Sequence, residues 1–142
     1  MAFNVLIVDD SSAMRAVIKK TIMVSGFNVG EYWEAADGIE ALDILSREWV
    51  DLVLSDINMP NMNGLELLAE MNKDQDLKPI PVVMITTEGS QQSVQKSEEL
   101  GARGYIKKPF QPEDIKRTLN QIMGEPEDGE SEYDESDEGF DF

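Results

Sequence analysis

The chain alternates short aliphatic runs with longer stretches in which apolar residues recur every three or four positions. Strong aliphatic runs lie at 5–8, 52–54 and 82–85, with weaker ones at 32–35 and 104–107. An unbroken aliphatic run of this length is typical of a strand buried on both faces. The longer stretches predict five helices between and after the strands. Five such units indicate a doubly wound α/β fold with a five-stranded parallel sheet between two helical layers.

The helical spacing also predicts which side chains face the sheet. Ser11 or Ser12 is expected to cap the first helix, and Gly26 to end it. The predicted inward positions of the first two helices are Met14, Val17, Ile18, Ile22, Met23, Ile39, Leu42 and Leu45.

The charge of the chain is strongly negative and unevenly distributed. The formal net charge is -17, and residues 125–142 hold ten of the 29 acidic residues and none of the 12 Lys and Arg residues. This composition predicts one folded domain at 1–124 and an acidic, disordered tail at 125–142. A second hypothesis is that the tail docks on the basic segment 91–124 or on a partner, because Tyr133, Phe140 and Phe142 are not needed for solubility. Direct nucleic-acid binding is disfavoured by charge repulsion.

Cysteine and histidine are both absent from the sequence. Disulfides and thiolate metal sites are therefore excluded, which fits a reducing cytoplasm. Any metal must be a hard ion bound through oxygen, Mg²⁺ or Mn²⁺ rather than Zn²⁺. No secretory signal is recognisable and no apolar run is long enough to cross a bilayer, so we expect a cytoplasmic protein without a membrane anchor.

Polar residues follow four of the predicted strands: Asp9 and Asp10, Asp56, Thr86, and Lys108. Ligands of doubly wound sheets bind at the carboxyl ends of the strands. Converging carboxylates repel one another unless a cation neutralises them, and Mg²⁺ suits such oxygen ligands. A lysine and a threonine can meet phosphoryl oxygens, and a carboxylate can act as a nucleophile toward phosphorus.

Each of these residues also has a plain structural interpretation. The Asp pair could begin a helix, Asp56 could be a turn residue, and Thr86 could cap the following helix. Met59, Met62 and Tyr105 are more simply explained as packing residues. Their coincidence at four strand ends nevertheless favours a site for phosphoryl chemistry.

Four segments carry a specific resemblance: Val8-Asp9-Asp10-Ser11, Ser55 to Glu66, Ile85-Thr86-Thr87-Glu88 and Gly101 to Phe110. The chain resembles the response-regulator receiver family, and most closely its chemotaxis, CheY-type single-domain members. The resemblance extends from residue 4 to about residue 123 and implies a flavodoxin-like sheet with strand order 2-1-3-4-5.

The resemblance also implies a role for each site residue. Asp56 matches the phosphoacceptor, and Asp10 the direct Mg²⁺ ligand, with Asp9 often acting through water. The backbone carbonyl of Asn58 is expected to be a further ligand. Lys108 matches the lysine that pairs with the phosphoryl group.

The resemblance further implies a conformational switch made by Thr86 and Tyr105, and a cis bond between Lys108 and Pro109. Because the chain has no histidine, the phosphohistidine must come from a histidine kinase or a histidine phosphotransfer protein. We expect no DNA-binding domain, so the output should be a protein contact through the face formed by the fourth helix, fifth strand and fifth helix.

Other functions are open to a chain of this kind. A receiver can act as a phosphate sink or in a phosphorelay unrelated to motility, and it catalyses only its own phosphorylation and dephosphorylation. An Asp-nucleophile phosphohydrolase would be expected to carry an Asp-x-Asp arrangement, whereas Asp56-Ile57-Asn58 lacks the second acid. A nucleotide binder would need a glycine-rich phosphate loop, which is absent from the sequence. A receiver-shaped interaction module would not need the intact acid and lysine set.

Overall fold

The computed structural model describes residues 2–87 and 89–124, in which strands and helices alternate without exception. The strands are β1 (Phe3–Val8), β2 (Val29–Ala35), β3 (Leu52–Ser55), β4 (Val82–Thr86) and β5 (Gly104–Lys107). The helices are α1 (Ser12–Ser25), α2 (Gly38–Arg47), α3 (Gly64–Asn72), α4 (Gln91–Glu99) and α5 (Pro112–Met123). The predicted acidic tail, 125–142, lies outside the described residues.

The five strands form one parallel sheet in the order β2-β1-β3-β4-β5, which confirms the predicted fold and strand order. Val8 lies opposite Ser55 and Thr86 lies opposite Lys107, while β4 runs two residues beyond β3, since Ser55 lies opposite Met84; all of these strands run in the same direction. The residues that follow these strands therefore meet at a single edge of the sheet.

Alternate residues of each strand point into two separate cores. On β1, Leu6 and Val8 pack into the core under α2 and α3, while Val5 and Ile7 pack into the core under α1 and α5. All four side chains are fully buried. This burial on both faces explains why the strands read as unbroken aliphatic runs.

Polar residues and a glycine mark where the helices begin and end. The Ser11 side chain accepts a hydrogen bond from the Met14 amide, and Gly26 ends α1 at a φ of 85° in the left-handed region. Asn63 and Glu66 form a reciprocal capping box at the start of α3. These caps fix where α1 and α3 begin relative to the strand ends.

Three predicted inward positions are wrong: Val17, Met23 and Ile39 are 50%, 62% and 54% exposed. A helix packed on a sheet buries a narrow stripe, which on α1 is formed by Ile18 and Ile22. A neighbouring residue lies about 100° around the helix from that stripe, and a residue two positions away lies almost opposite it. Val17 and Met23 are the immediate neighbours of the buried Ile18 and Ile22, and Ile39 lies two positions before the buried Ala41.

Candidate functional site

Three carboxylates meet where β1 and β3 end. Oxygen atoms of Asp9, Asp10 and Asp56 all lie within 4.8 Å of one another. Their positions follow from the sheet, because the Asp9 amide donates to the Ala35 carbonyl at 3.0 Å and the Asp56 amide to the Val8 carbonyl at 2.9 Å. Asp9 is buried, Asp56 is half-buried and Asp10 is exposed, so the cluster opens to solvent on the side of Asp10.

Lys108 places its ammonium group between two of these carboxylates. Its Nζ lies 2.9 Å from Asp9 Oδ2 and 3.5 Å from Asp56 Oδ2, and its side chain is only 10% exposed. The Lys108 amide donates to the Thr86 carbonyl at 2.9 Å, which continues the β4–β5 pairing, and the following peptide bond to Pro109 is cis. One lysine charge against three carboxylates leaves two negative charges, which suits a divalent cation.

The second carboxylate oxygens of Asp9 and Asp56 have local partners. Asp9 Oδ1 accepts a hydrogen bond from the Ser11 amide at 2.9 Å, and Asp56 Oδ1 accepts one from the Ile57 amide at 2.7 Å. These bonds fix the direction of both carboxylates. The donor set contains only oxygen and is therefore suited to Mg²⁺ or Mn²⁺.

The other predicted site residues lie around this cluster. Thr86 is fully buried at the end of β4, and Tyr105 on β5 is half-buried against the core under α2 and α3. Tyr105 lies opposite Met84 in the sheet. Asn58 is exposed, two residues beyond Asp56. The structure thus brings Asp9, Asp10, Asp56 and Lys108 together, with Thr86 at the same edge of the sheet and Tyr105 two residues before the end of β5.

Arg15 is a neighbour of the site that the sequence did not reveal. It lies on α1, donates from its guanidinium to the Asp9 carbonyl, and pairs with Glu34 of β2 at 2.8 Å. Its side chain is 16% exposed. Nothing in the local sequence distinguishes Arg15 from a surface arginine, because its partner lies 19 residues away.

Asp37 and Asn61 join α2 to the loop that follows Asp56. The buried Asp37 carboxylate accepts hydrogen bonds from the Glu40 amide at 2.9 Å and from Asn61 Nδ2 at 2.7 Å. The hydrogen bond from the Glu40 amide lowers the pKa of Asp37 most, and the hydrogen bond from the Asn61 side chain lowers it further. Asn61 has a φ of 66°, a left-handed conformation that Asn tolerates. The loop carrying Asn58 is therefore anchored at a second point.

Gly64 is also part of the support beneath Asp56. A Cβ atom at Gly64 would lie 2.1 Å from the Asp56 carbonyl oxygen, so the start of α3 packs directly on the backbone of the central Asp. The Gly64 amide donates to the Ile57 carbonyl at 2.8 Å. Only the structure shows this contact, because the two residues are eight positions apart in the sequence.

The fold and the site together are those of a signalling receiver domain. The family described as "Response regulator receiver domain" matches residues 5–120, and the chain belongs to this family. Chemotaxis protein CheY-3 of Vibrio cholerae is 41% identical over 120 residues, which cover 84% of this chain and 91% of that protein. A chemotaxis protein CheY homolog of Campylobacter jejuni is 40% identical over 122 residues, covering 85% and 92%. The solved structure of Vibrio cholerae chemotaxis protein CheY4 matches with a TM-score of 0.76 and 36% identity, covering 86% of this chain and 99% of that one.

Family membership makes the chain a two-component response regulator of the CheY type. Phosphorylation and Mg²⁺ binding at an acidic pocket are general properties of this family, whose members are signalling regulators rather than classical enzymes. They interact with histidine kinases and with downstream targets. Among the described residues, the helices are all too short or too polar to span a membrane.

Proposed function

We propose that this chain accepts a phosphoryl group from a phosphohistidine on Asp56 and thereby switches a protein-binding surface. The observation that carries the proposal is the position of Lys108 Nζ, 2.9 Å from Asp9 and 3.5 Å from Asp56. A lysine held in this position neutralises the carboxylates and can also meet the oxygens of an incoming phosphoryl group.

Asp9, Asp10, Asp56 and the backbone carbonyl of Asn58 are the residues that would hold Mg²⁺, or Mn²⁺ in its place. The convergence of the three carboxylates within 4.8 Å supports this assignment. Bound at this position, the ion would neutralise charge on the transferring phosphoryl group. The anchored loop and the Gly64 contact would keep Asn58 in place for this purpose.

The chain's own contribution to the transfer is a nucleophile and its alignment. A carboxylate oxygen of Asp56 forms the new bond to phosphorus, while the bond from phosphorus to the donor imidazole nitrogen breaks and leaves its electron pair on that nitrogen. Lys108 pairs with a phosphoryl oxygen, and the Thr86 hydroxyl donates to another. The chain catalyses only its own phosphorylation and its dephosphorylation, in which water cleaves the acyl phosphate, releases inorganic phosphate and restores the Asp56 carboxylate; this agrees with the signalling character of the family.

A shallow apolar groove beside Lys108 supports docking of a protein donor. It has a volume of about 260 Å³ and lies between α1 and the segment that follows β5. Met14, Val17 and Phe110 line it, and Val17 is 50% exposed. A helix of a histidine kinase or phosphotransfer protein could cover these side chains while its phosphohistidine reaches Asp56.

The output that we propose is a protein contact on the face formed by α4, β5 and α5, controlled by Thr86 and Tyr105. The two residues are one strand apart, since Tyr105 pairs with Met84 two positions before Thr86. A charge change at Asp56 would bias their two arrangements. The relatives are chemotaxis proteins, which favours chemotaxis signalling in the cytoplasm for this chain. A role as phosphate sink, or in another phosphorelay, would use the same site.

The test is phosphorylation by acetyl phosphate followed by intact-mass measurement, with Mg²⁺ and with a chelator. We expect the mass of one phosphoryl group to be added only with Mg²⁺, and Asp56→Asn to abolish the addition. Asp43→Asn is the matched control, because Asp43 is an exposed residue of α2 remote from the strand ends. An adduct that persists in Asp56→Asn would contradict the proposal, and sustained turnover of varied phosphate esters would favour a phosphohydrolase.

A further inference from the structure

Trp49 is an unusually exposed aromatic residue at the edge of the sheet opposite to Asp56. Its side chain is 77% exposed, in the connection between α2 and β3. The ring is nevertheless fixed, because Nε1 donates to Asp51 Oδ1 at 3.0 Å, and Asp51 Oδ2 accepts the Asn4 amide at 2.8 Å. A large ring held in one orientation at the surface is ordered before any partner binds, which lowers the entropic cost of binding.

The ring borders a cavity of about 350 Å³ between the segments that precede β3 and β4. Its apolar walls include Leu45, Val50, Leu77 and Ile80, which are buried or half-buried, and Pro79 and Pro81 also line it. We call the cavity and the adjoining ring the Trp49 groove. It offers an apolar slot next to an exposed π-face.

The polar residues around the Trp49 groove carry negative charge. Glu48, Asp51 and Asp76 all line it. This charge disfavours the chain's own acidic tail, with its ten acidic residues and no basic ones, as an occupant. It also disfavours a second copy, which would bring the same carboxylates and the same net charge of -17 against them.

We propose that the Trp49 groove binds a partner protein through a short segment that combines Lys or Arg with an apolar side chain. The cation would stack on the Trp49 ring and pair with Asp76, since Glu48 already pairs with Arg47 at 3.4 Å, and the apolar side chain would enter the cavity. The groove lies at the amino-terminal ends of β3 and β4, whereas Asp56 follows the carboxyl end of β3. Binding at the groove leaves the phosphoryl site open, so the contact would localise the receiver without blocking it.

The proposal is tested by NMR titration of the full ¹⁵N-labelled chain with a defined peptide. The probe is N-acetylated, C-amidated Gly-Arg-Pro-Leu-Arg-Gly, and its control carries Glu in place of both Arg residues. We expect the Arg peptide to shift the indole N–H signal of Trp49 and the amide signals of Leu77 and Ile80. The Glu peptide should bind at least about tenfold more weakly, because it meets the acidic rim.

Substitutions in the groove test which side chains contribute to the affinity for the Arg peptide. Trp49→Ala should weaken the Arg peptide about tenfold, since it removes the stacking surface, and Asp76→Asn should weaken it about threefold at low salt. Trp49→Phe keeps a ring but loses the bond to Asp51, so its effect should be smaller. Met23→Ala is the control, because Met23 is 62% exposed elsewhere, and it should bind normally.

Three outcomes would overturn the proposal. One is equal binding of the Arg and Glu peptides, and another is a set of shifted signals that does not include the groove. The third is sedimentation of the chain as a dimer that Trp49→Ala dissolves, which would assign the groove to a second copy. None of these measurements depends on phosphorylation of Asp56, so the proposed function can fail or hold independently.

Discussion

Gly64→Ala places a single methyl group against the backbone beneath the site. Its Cβ atom would lie 2.1 Å from the Asp56 carbonyl oxygen and 3.0 Å from both the Asp56 carbonyl carbon and the Ile57 Cα. All three atoms belong to the backbone, so rotation of a side chain cannot relieve the contact. Either α3 or the end of β3 must move.

The size of the movement follows from the distances. Separating the Cβ and the Asp56 oxygen to 3.0 Å, a distance that real Cβ atoms essentially never fall below, requires a shift of about 0.9 Å. Overpacking of this kind costs about 1–3 kcal/mol, and the reduced freedom of the unfolded chain offsets about 0.4–1 kcal/mol. We therefore expect the free energy of unfolding to fall by about 1–2 kcal/mol.

Urea unfolding of wild type and Gly64→Ala measures this difference directly. Gly38→Ala is the matched control, because Gly38 also opens a helix, yet its Cβ would meet the Met62 side chain, at 2.6 Å from Cγ. The Met62 side chain can turn its Cγ and Sδ away, and its Cβ, at 2.9 Å, needs a shift of only about 0.1 Å to reach 3.0 Å, so we expect the control to lose less than half as much. Equal losses, or a Gly64→Ala loss below about 0.5 kcal/mol, would refute the reasoning from backbone contact.

The remaining predictions concern charge. Lys108→Ala removes the ammonium group that lies beside Asp9 and Asp56. In the presence of a chelator, its free energy of unfolding should be about 3 kcal/mol lower than that of wild type, and Mg²⁺ should restore most of the difference. Urea unfolding measures this, and Lys107→Ala, which changes an exposed lysine, should match wild type. Asp10→Ala should weaken Mg²⁺ binding at least about tenfold by calorimetry without loss of stability, because Asp10 is exposed. Asp37→Ala should cost about 1 kcal/mol at pH 7 through the lost cap. The pKa of Asp37 is lower in the folded protein than its ordinary value of 3.8. The stabilisation by Asp37 is therefore complete above pH 3.8 and is lost as the pH falls through the folded pKa. The urea midpoints of wild type and Asp37→Ala should converge below about pH 3.8.

The fold was predictable because its main signal is local. Strands such as Leu52–Ser55 are buried on both faces, so each appears in the sequence as an aliphatic run without alternation. A parallel sheet then brings the residues after the strands to one edge. For that reason Asp9, Asp56 and Lys108, which are far apart in the sequence, could be expected to meet.

The supports of the site could not be predicted in the same way. The bond from Asn61 to Asp37 spans 24 residues and depends on the angle between a loop and a helix, which no local pattern encodes. Arg15 contacts the Asp9 carbonyl across the start of α1, and its ion-pair partner Glu34 lies on β2, 19 residues away. The predicted inward positions Val17, Met23 and Ile39 are wrong for a related reason: periodicity predicts an apolar stripe along a helix but not the width of that stripe.

The charges at the site indicate how phosphorylation of Asp56 would act on Lys108. Arg15 is paired with Glu34, whereas the ammonium group of Lys108 lies between the carboxylates of Asp9 and Asp56. A phosphoryl group carries about two negative charges and would replace the single charge of the Asp56 carboxylate. Lys108 Nζ now lies closer to Asp9, at 2.9 Å, than to Asp56, at 3.5 Å. The added charge reverses that preference, so under the proposed function Nζ moves toward the phosphoryl oxygens. Because the Lys108 amide is bonded to the Thr86 carbonyl, that movement begins next to the residue proposed as the switch.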